Sequence, residues 1–563
     1  MSEASLDSSS FSSKTPGVIK NLVAITLLAS IQVPALANRA LTEAERLADF
    51  NQLVYRIESN YGPLKLKPTS IGLDMEHLKA RYRDEVVKAR TNGEFYYTIV
   101  RFVAEFKDGH FGAQVPTTRR AALPFSTDLV EGKVLIDQIE RTMLPELIFP
   151  YERGDEVIEM GGRSAPQLLD FLSRHVSSGY ELSARRTAAM MFTVRSGAIV
   201  PVPEGKVLIK IRRVSGEIGE VSLPWIHTGD AIDEDVLPDF GDAPKIFSTK
   251  FPLVPKVIAD LGNLSIRDDL VAILGPERLE RSYRCSGLTR IEPPEGAKPI
   301  QLTPFVAYTY PTAKGEVGYL RLPHYMPQGP SGEPLFEEYL SRYTHVVRQL
   351  EARTVGLVID QDHNCGGSVD YLESIAGLFV EQPHSGLEFQ FLANKESFLS
   401  FNQALGQTPA GTLEHGLVKN LVDLTRTAWN RGDFLTEKST FHPGEKLYPS
   451  PYRYTKPVIV LIDELSGSGG DAFPAMMQGL GRAKLVGTRT SGLGGHVNAQ
   501  APLNYSGIAY RMTRSLFFHP NGTPIENNGA TPDFPYAITR DDFVNGYRAY
   551  REFYTQKLLE QIP

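Results

Sequence analysis

Strands and helices alternate between residues 316 and 487, so the sequence predicts an α/β fold with a largely parallel sheet. Two further observations divide the rest of the chain. Apolar stripes at helical spacing precede residue 107, and a β-rich stretch punctuated by Gly and Pro covers 124–226. At 563 residues the chain has room for several domains of about 100–200 residues each. With 42% hydrophobic and 22% charged residues, the composition excludes global disorder and a coiled coil. A net charge of −7 leaves no basic excess for a nucleic-acid partner. Two cysteines exclude a disulfide scaffold and a four-cysteine zinc site, while leaving one bridge between Cys285 and Cys365 open.

The elements follow in chain order. Residues 1–37 read as a signal peptide: a Ser-rich start, Lys14 and Lys20, an apolar run over 22–31, then Ala35-Leu36-Ala37. That run falls short of the roughly 20 residues a spanning helix needs. The expected mature chain begins near Asn38, is secreted or periplasmic, and keeps no stable membrane anchor. Residues 38–123 form an N-terminal helical region, with Phe50, Leu53, Val54 and Ile57 on one stripe and Phe95, Ile99, Phe102 and Val103 on another. In 124–228 the run Gly154-Asp155-Glu156-Val157-Ile158-Glu159-Met160-Gly161-Gly162, followed by a helix over 166–175, resembles a PDZ domain. Residues 229–314 are Pro- and Asp-rich with little periodicity and are expected to be a linker or a maturation segment. Residues 315–563 form the α/β domain, with strands expected over 317–322, 354–360, 456–463 and 483–487, helices between them, and an insert over 394–455.

In such sheets sites lie at the carboxyl ends of strands, and two glycine-rich loops fall there. One is Asp360-Gln361-Asp362-His363-Asn364-Cys365-Gly366-Gly367; the other is Leu465-Ser466-Gly467-Ser468-Gly469-Gly470-Asp471. A serine at a strand-to-helix junction stands beside orphan N–H groups that can hold a developing oxyanion. The same pattern also fits a plain turn or a phosphate cradle. It is not a full G-x-S-x-G elbow, because Ser466 stands where the first Gly belongs. No Walker Lys and no G-x-G-x-x-G are present in these loops.

These blocks resemble the tail-specific, or C-terminal processing, serine proteases. The matching residues are Ile359-Asp360 with Asn364-Cys365-Gly366-Gly367, then Ser466 to Asp471, Gly481-Arg482-Ala483-Lys484-Leu485-Val486-Gly487, Thr490-Ser491-Gly492-Leu493-Gly494 and Gly529-Ala530-Thr531-Pro532-Asp533. The resemblance implies a crotonase-like α/β core with a PDZ-like module, a serine endopeptidase acting on protein or peptide substrates, no cofactor and no metal. Many members use a Ser–Lys dyad, but Leu493 occupies the lysine position here and cannot take a proton. One branch of the family uses Ser–His–Glu instead, and Asp108-Gly109-His110-Phe111-Gly112 and Pro524-Ile525-Glu526-Asn527-Asn528-Gly529 match its blocks. That branch also implies a homodimer and an internal segment cut during maturation.

The implied roles are Ser468 as nucleophile, His110 as general base, and Glu526 as the carboxylate orienting the imidazole. The N–H of Gly469, with Gly366 or Gly367, would form the oxyanion hole. His363 and His496 are rival bases, Ser466 is a rival nucleophile, Lys484 a relocated base, and Cys365 a thiol nucleophile. Asp362, His363 and Cys365 crowd one loop, which is poor geometry for zinc. The alternative reading is an inactive crotonase-like protein that binds peptides or lipids.

Overall fold

The computed structural model describes residues 40–231, 289–329, 332–440 and 446–563. The expected signal peptide, most of the expected maturation segment and Cys285 lie outside the described residues.

A seven-stranded sheet organises residues 298–535. Its strands, in spatial order, are Lys298–Gln301, Ala307–Thr312, Gly315–Arg321, Gly356–Asp360, Val458–Ile462, Lys484–Gly487 and Phe534–Pro535. The first three are antiparallel, and from Gly315–Arg321 onward every pair is parallel. Gly356–Asp360 and Val458–Ile462 are buried along their whole length, as a strand covered on both faces must be. Helices Phe336–Arg353, Val369–Ala376 and Gly469–Gly479 cover one face through a core that includes Tyr343, Leu350, Ile375 and Phe473. Helix Arg548–Leu559 covers the other through Tyr550, Tyr554 and Leu558.

The sheet starts earlier than the expected boundary at 315. Two of its strands, Lys298–Gln301 and Ala307–Thr312, fall in the stretch read as irregular. Tyr308 and Tyr310 are buried there, but Pro299, Pro304 and Pro311 break the alternation that would have marked a strand. The edge strand Lys298–Gln301 tolerates proline that a central one does not, and Pro311 lies beyond the residues of Ala307–Thr312 that pair with that edge. The insert over 394–455 is also structured, with helices Lys395–Leu405 and Leu413–Arg431. Asn394 caps the first by accepting the Ser397 N–H at 2.9 Å.

The N-terminal region contains helices Glu43–Asn60, Lys67–Ile71, Met75–Lys88 and Asn92–Ala104. It is not a separate module. Phe50, Ile57, Phe95 and Phe102 share one core with Leu503, Ile508, Tyr510 and Met512, from the far end of the chain. Strand Gly112–Gln114 pairs antiparallel with Ala509–Thr513, which pairs with Val497–Gln500.

Residues 125–224 form a five-strand path, Phe125–Val130, Lys133–Ile139, Glu156–Met160, Lys206–Arg212 and Ile218–Pro224, with helices Ala165–Ser173 and Glu181–Met190 packed on it. A buried ion network ties this domain to the sheet domain. Arg186 bonds Asp128 on its own domain at 2.8 Å, and Glu464 and Asp463 on the other at 2.9 and 3.1 Å. Against the cost of burial, Arg186 and Arg290 hold Asp128 well below the usual carboxylate range.

Candidate active site

The nucleophile turn is built by a parallel strand that ends and a helix that begins. Val458–Ile462 runs out at the sheet's carboxyl edge, and Gly469–Gly479 starts seven residues later. Between them Ser468 is held at φ +61°, ψ −115°, a left-handed value that a serine adopts only under constraint. Its N–H donates to Asp471 Oδ2 at 2.7 Å. That wholly buried carboxylate also accepts the N–H groups of Gly492 at 2.8 Å and Leu493 at 2.9 Å, and the Thr490 hydroxyl. Burial pushes it up to about 6, while these donors pull it down. Asp471 thus clamps the serine turn to the 490–493 loop.

The first glycine-rich loop lies directly over the serine. A Cβ on Gly366, which has φ +82°, would stand 2.6 Å from Ser468 Cβ and 2.7 Å from the Gly469 nitrogen. Only a glycine fits there. The Gly366 N–H, however, donates to Asn364 Oδ1 at 2.8 Å. Gly366 therefore provides space rather than an oxyanion donor, which departs from the expectation for that residue. The Gly367 nitrogen lies 3.2 Å from the position a Gly469 Cβ would take, so the N–H groups of 367 and 469 are neighbours. Gly469 opens its helix, so its N–H has no intrahelical acceptor.

His110 sits in the buried turn before strand Gly112–Gln114, its N–H donating to Asp108 Oδ1 at 2.8 Å. Tyr61 and Thr513 donate their hydroxyls to Asp108 Oδ2 at 2.9 and 2.6 Å. Gly109 packs against Leu493: a Cβ there would be 2.8 Å from Leu493 Cδ2. The leucine in the lysine position thus forms packing for the histidine turn. Glu526, wholly buried, accepts the Gly494 N–H at 2.9 Å through Oε2 and a Lys67 Nζ bond at 2.5 Å through Oε1. The next residue, Asn527, donates its side-chain amide to Lys107 O at 2.8 Å and its N–H to Gly492 O at 3.0 Å. Segments 107–110, 466–471, 490–494 and 526–527 therefore interlock at one place.

The rivals are engaged elsewhere. His363 Nδ1 lies 2.6 Å from Asp463, and Nε2 faces Arg290 and Arg186 at 2.9 and 3.2 Å. Burial lowers its affinity for a proton, with the Asp463 carboxylate opposing. His496 bonds Ser515 Oγ at 2.8 Å, and burial, with Arg514 and His110 nearby, pulls it down to about 3. Ser466 donates its hydroxyl to Gln361 O at 2.7 Å and Asp463 at 2.8 Å. Lys484 bonds Asp533 at 3.0 Å on the exposed side of its strand. Cys365 is disulfide-bonded, so it offers no thiol as nucleophile or metal ligand. The sequence reading missed Lys67, Asn364 and Asp471. Asn364 and Asp471 stood in the matching blocks without a role assigned to them, and Lys67 carried no signal.

Residues 316–536 match the model of peptidase family S41, and 119–236 match a PDZ domain model. An uncharacterised protein of Chlamydia muridarum is 26% identical over 599 aligned positions, covering 96% of each chain. A Chlamydia trachomatis protein is 27% identical over 605, covering 94% of each. A carboxy-terminal-processing protease of Bartonella bacilliformis is 30% identical over 138, covering 24% of this chain and 31% of its own. The crystal structure of mature CPAF superposes with a TM-score of 0.73 at 23% identity, covering 92% of this chain and 98% of that one. The complex of mature CPAF with lactacystin also gives 0.73, at 22% identity. The fold is thus that of mature CPAF.

Proposed function

We propose that this chain, a serine peptidase with a family S41 domain over 316–536 and a PDZ domain over 119–236, is an exported endopeptidase that works through Ser468, His110 and Glu526. The observation that carries the reading is the Ser468 turn: a strained serine at a helix N-terminus, with the glycine loop 366–367 packed directly against it.

In this mechanism Ser468 Oγ attacks the carbonyl carbon of the substrate and His110 takes its proton. Glu526 accepts the other ring N–H, fixing the tautomer and stabilising the imidazolium. The oxyanion forms against the Gly469 and Gly367 N–H groups; losing one such donor costs about 10²–10³ in rate. His110 then protonates the leaving amine, the C–N bond breaks, and water hydrolyses the acyl-enzyme by the reverse proton path. The interlocked 107–110, 490–494 and 526–527 segments support this assignment of roles. Protein or peptide substrates, export by the 1–37 leader, a homodimer, and a maturation cut within 229–314 belong to the same proposal.

The test is intact mass after exposure of the chain from Asn38 onward to a fluorophosphonate probe. A single adduct on wild type, absent from Ser468→Ala and His110→Ala, is expected. Labelling that survives Ser468→Ala would refute the choice of serine. Unlabelled wild type that still binds a peptide would favour a binding protein.

A further inference from the structure

Lys67 is a wholly buried lysine to which the mechanism above gives no role. It opens the short helix Lys67–Ile71, yet its ammonium reaches 459 positions along the chain to Glu526. Nζ donates to Glu526 Oε1 at 2.5 Å, to Asn527 Oδ1 at 2.8 Å and to Lys107 O at 3.4 Å. Three acceptors meet the three hydrogens of an ammonium, so no lone pair is left to take the serine proton. Lys67 is therefore not a substitute for the missing dyad lysine.

It answers a different need. Glu526 is buried and faces a second carboxylate, Asp108, across the site; Tyr61 and Thr513 give their hydroxyls to Asp108, not to Glu526. Its other partner is the Gly494 N–H, which donates to Oε2. Burial and Asp108 outweigh the Lys67 ammonium and the Gly494 N–H, which pull the other way, and leave the Glu526 carboxyl at about 7. A protonated Glu526 could not stabilise an imidazolium. We infer that Lys67 is a positioning residue for peptide hydrolysis, pairing with Glu526 to favour its anionic form and hold it in register to receive the His110 N–H. This inference rests on the triad reading above.

Fluorophosphonate labelling rates across about pH 6 to 10, on the full mature chain, test it. In Lys67→Met and Lys67→Gln the acidic limb should move up by about one unit or more. Labelling at pH 7 then falls about fivefold or more and recovers toward pH 9. Lys67→Arg, which keeps the charge, should leave the limb near its wild-type position. The double variant Lys67→Met/Glu526→Gln should label like Glu526→Gln alone, since Lys67 acts only through that carboxylate. A loss that is equal at every pH, or a limb that does not move, overturns the inference. So does a missing thermal transition in both neutral variants, which would assign the pair to the fold. Wild-type labelling in Glu526→Gln would instead sink the triad itself, whatever Lys67 does.

Discussion

Gly366→Ala separates the room around the nucleophile from the strain of a left-handed backbone. Gly366 sits at φ +82°, where alanine costs about 1–2 kcal/mol. The added Cβ would meet Ser468 Cβ at 2.6 Å, the Gly469 nitrogen at 2.7 Å and Gly467 O at 2.8 Å. Non-bonded carbons settle near 3.5–4.0 Å, so the overlap is about 1 Å. Two of the three neighbours are backbone atoms and cannot rotate away. The loop or the serine turn must shift by about that overlap, and a misplacement of that size costs about 10²-fold in rate. Gly132→Ala is the control: φ is +75°, but nothing lies within 4 Å of the new Cβ. Both variants should lose about 1–2 kcal/mol from backbone strain, Gly366→Ala somewhat more. Only Gly366→Ala should lose fluorophosphonate labelling, by about 10² or more. The assay is the labelling rate constant, with thermal melting beside it. Labelling of Gly366→Ala within about threefold of wild type would refute the placement of this loop over Ser468.

Three further outcomes follow from other sites. Arg186→Met leaves the buried carboxylates of Asp128, Asp463 and Glu464 short of a cation, so urea unfolding should lose about 3–5 kcal/mol. His496→Asn should leave the acidic limb of labelling in place, because this histidine, pulled down to about 3, does not titrate near neutrality. Burial pushes Glu373 up to about 7 from 4.5, and its Oε2 finds no partner among the described residues. A raised folded value contributes stability below about pH 4.5 that is lost as pH rises through 7. Glu373→Gln should therefore be more stable than wild type at pH 8, by up to about 3 kcal/mol, and gain almost nothing at pH 4. A gain that is equal at both would refute the titration.

Much of the catalytic region was legible because its signals are local. Apolar, β-branched runs marked the central strands; glycine-rich loops at their ends marked the site, and the family resemblance supplied His110 and Glu526 as candidates. Strand Lys298–Gln301 was hidden by a proline that a sheet edge tolerates, and Ala307–Thr312 by one that lies beyond its pairing with that edge.

What the sequence by itself determined are the elements and the residue types at each strand end, because helical and strand periodicity act over a few residues. Only the tertiary structure decided which of those residues meet. Gly366 became a spacer because Asn364 takes its N–H. Leu493 became packing for the His110 turn. Lys67 found Glu526 because strand Gly112–Gln114 and the N-terminal helices share a sheet and a core with residues 497–513. Ion pairs of such separation leave no periodic trace. They arise where burial strips water from a carboxylate, and a charge from elsewhere in the chain must take its place.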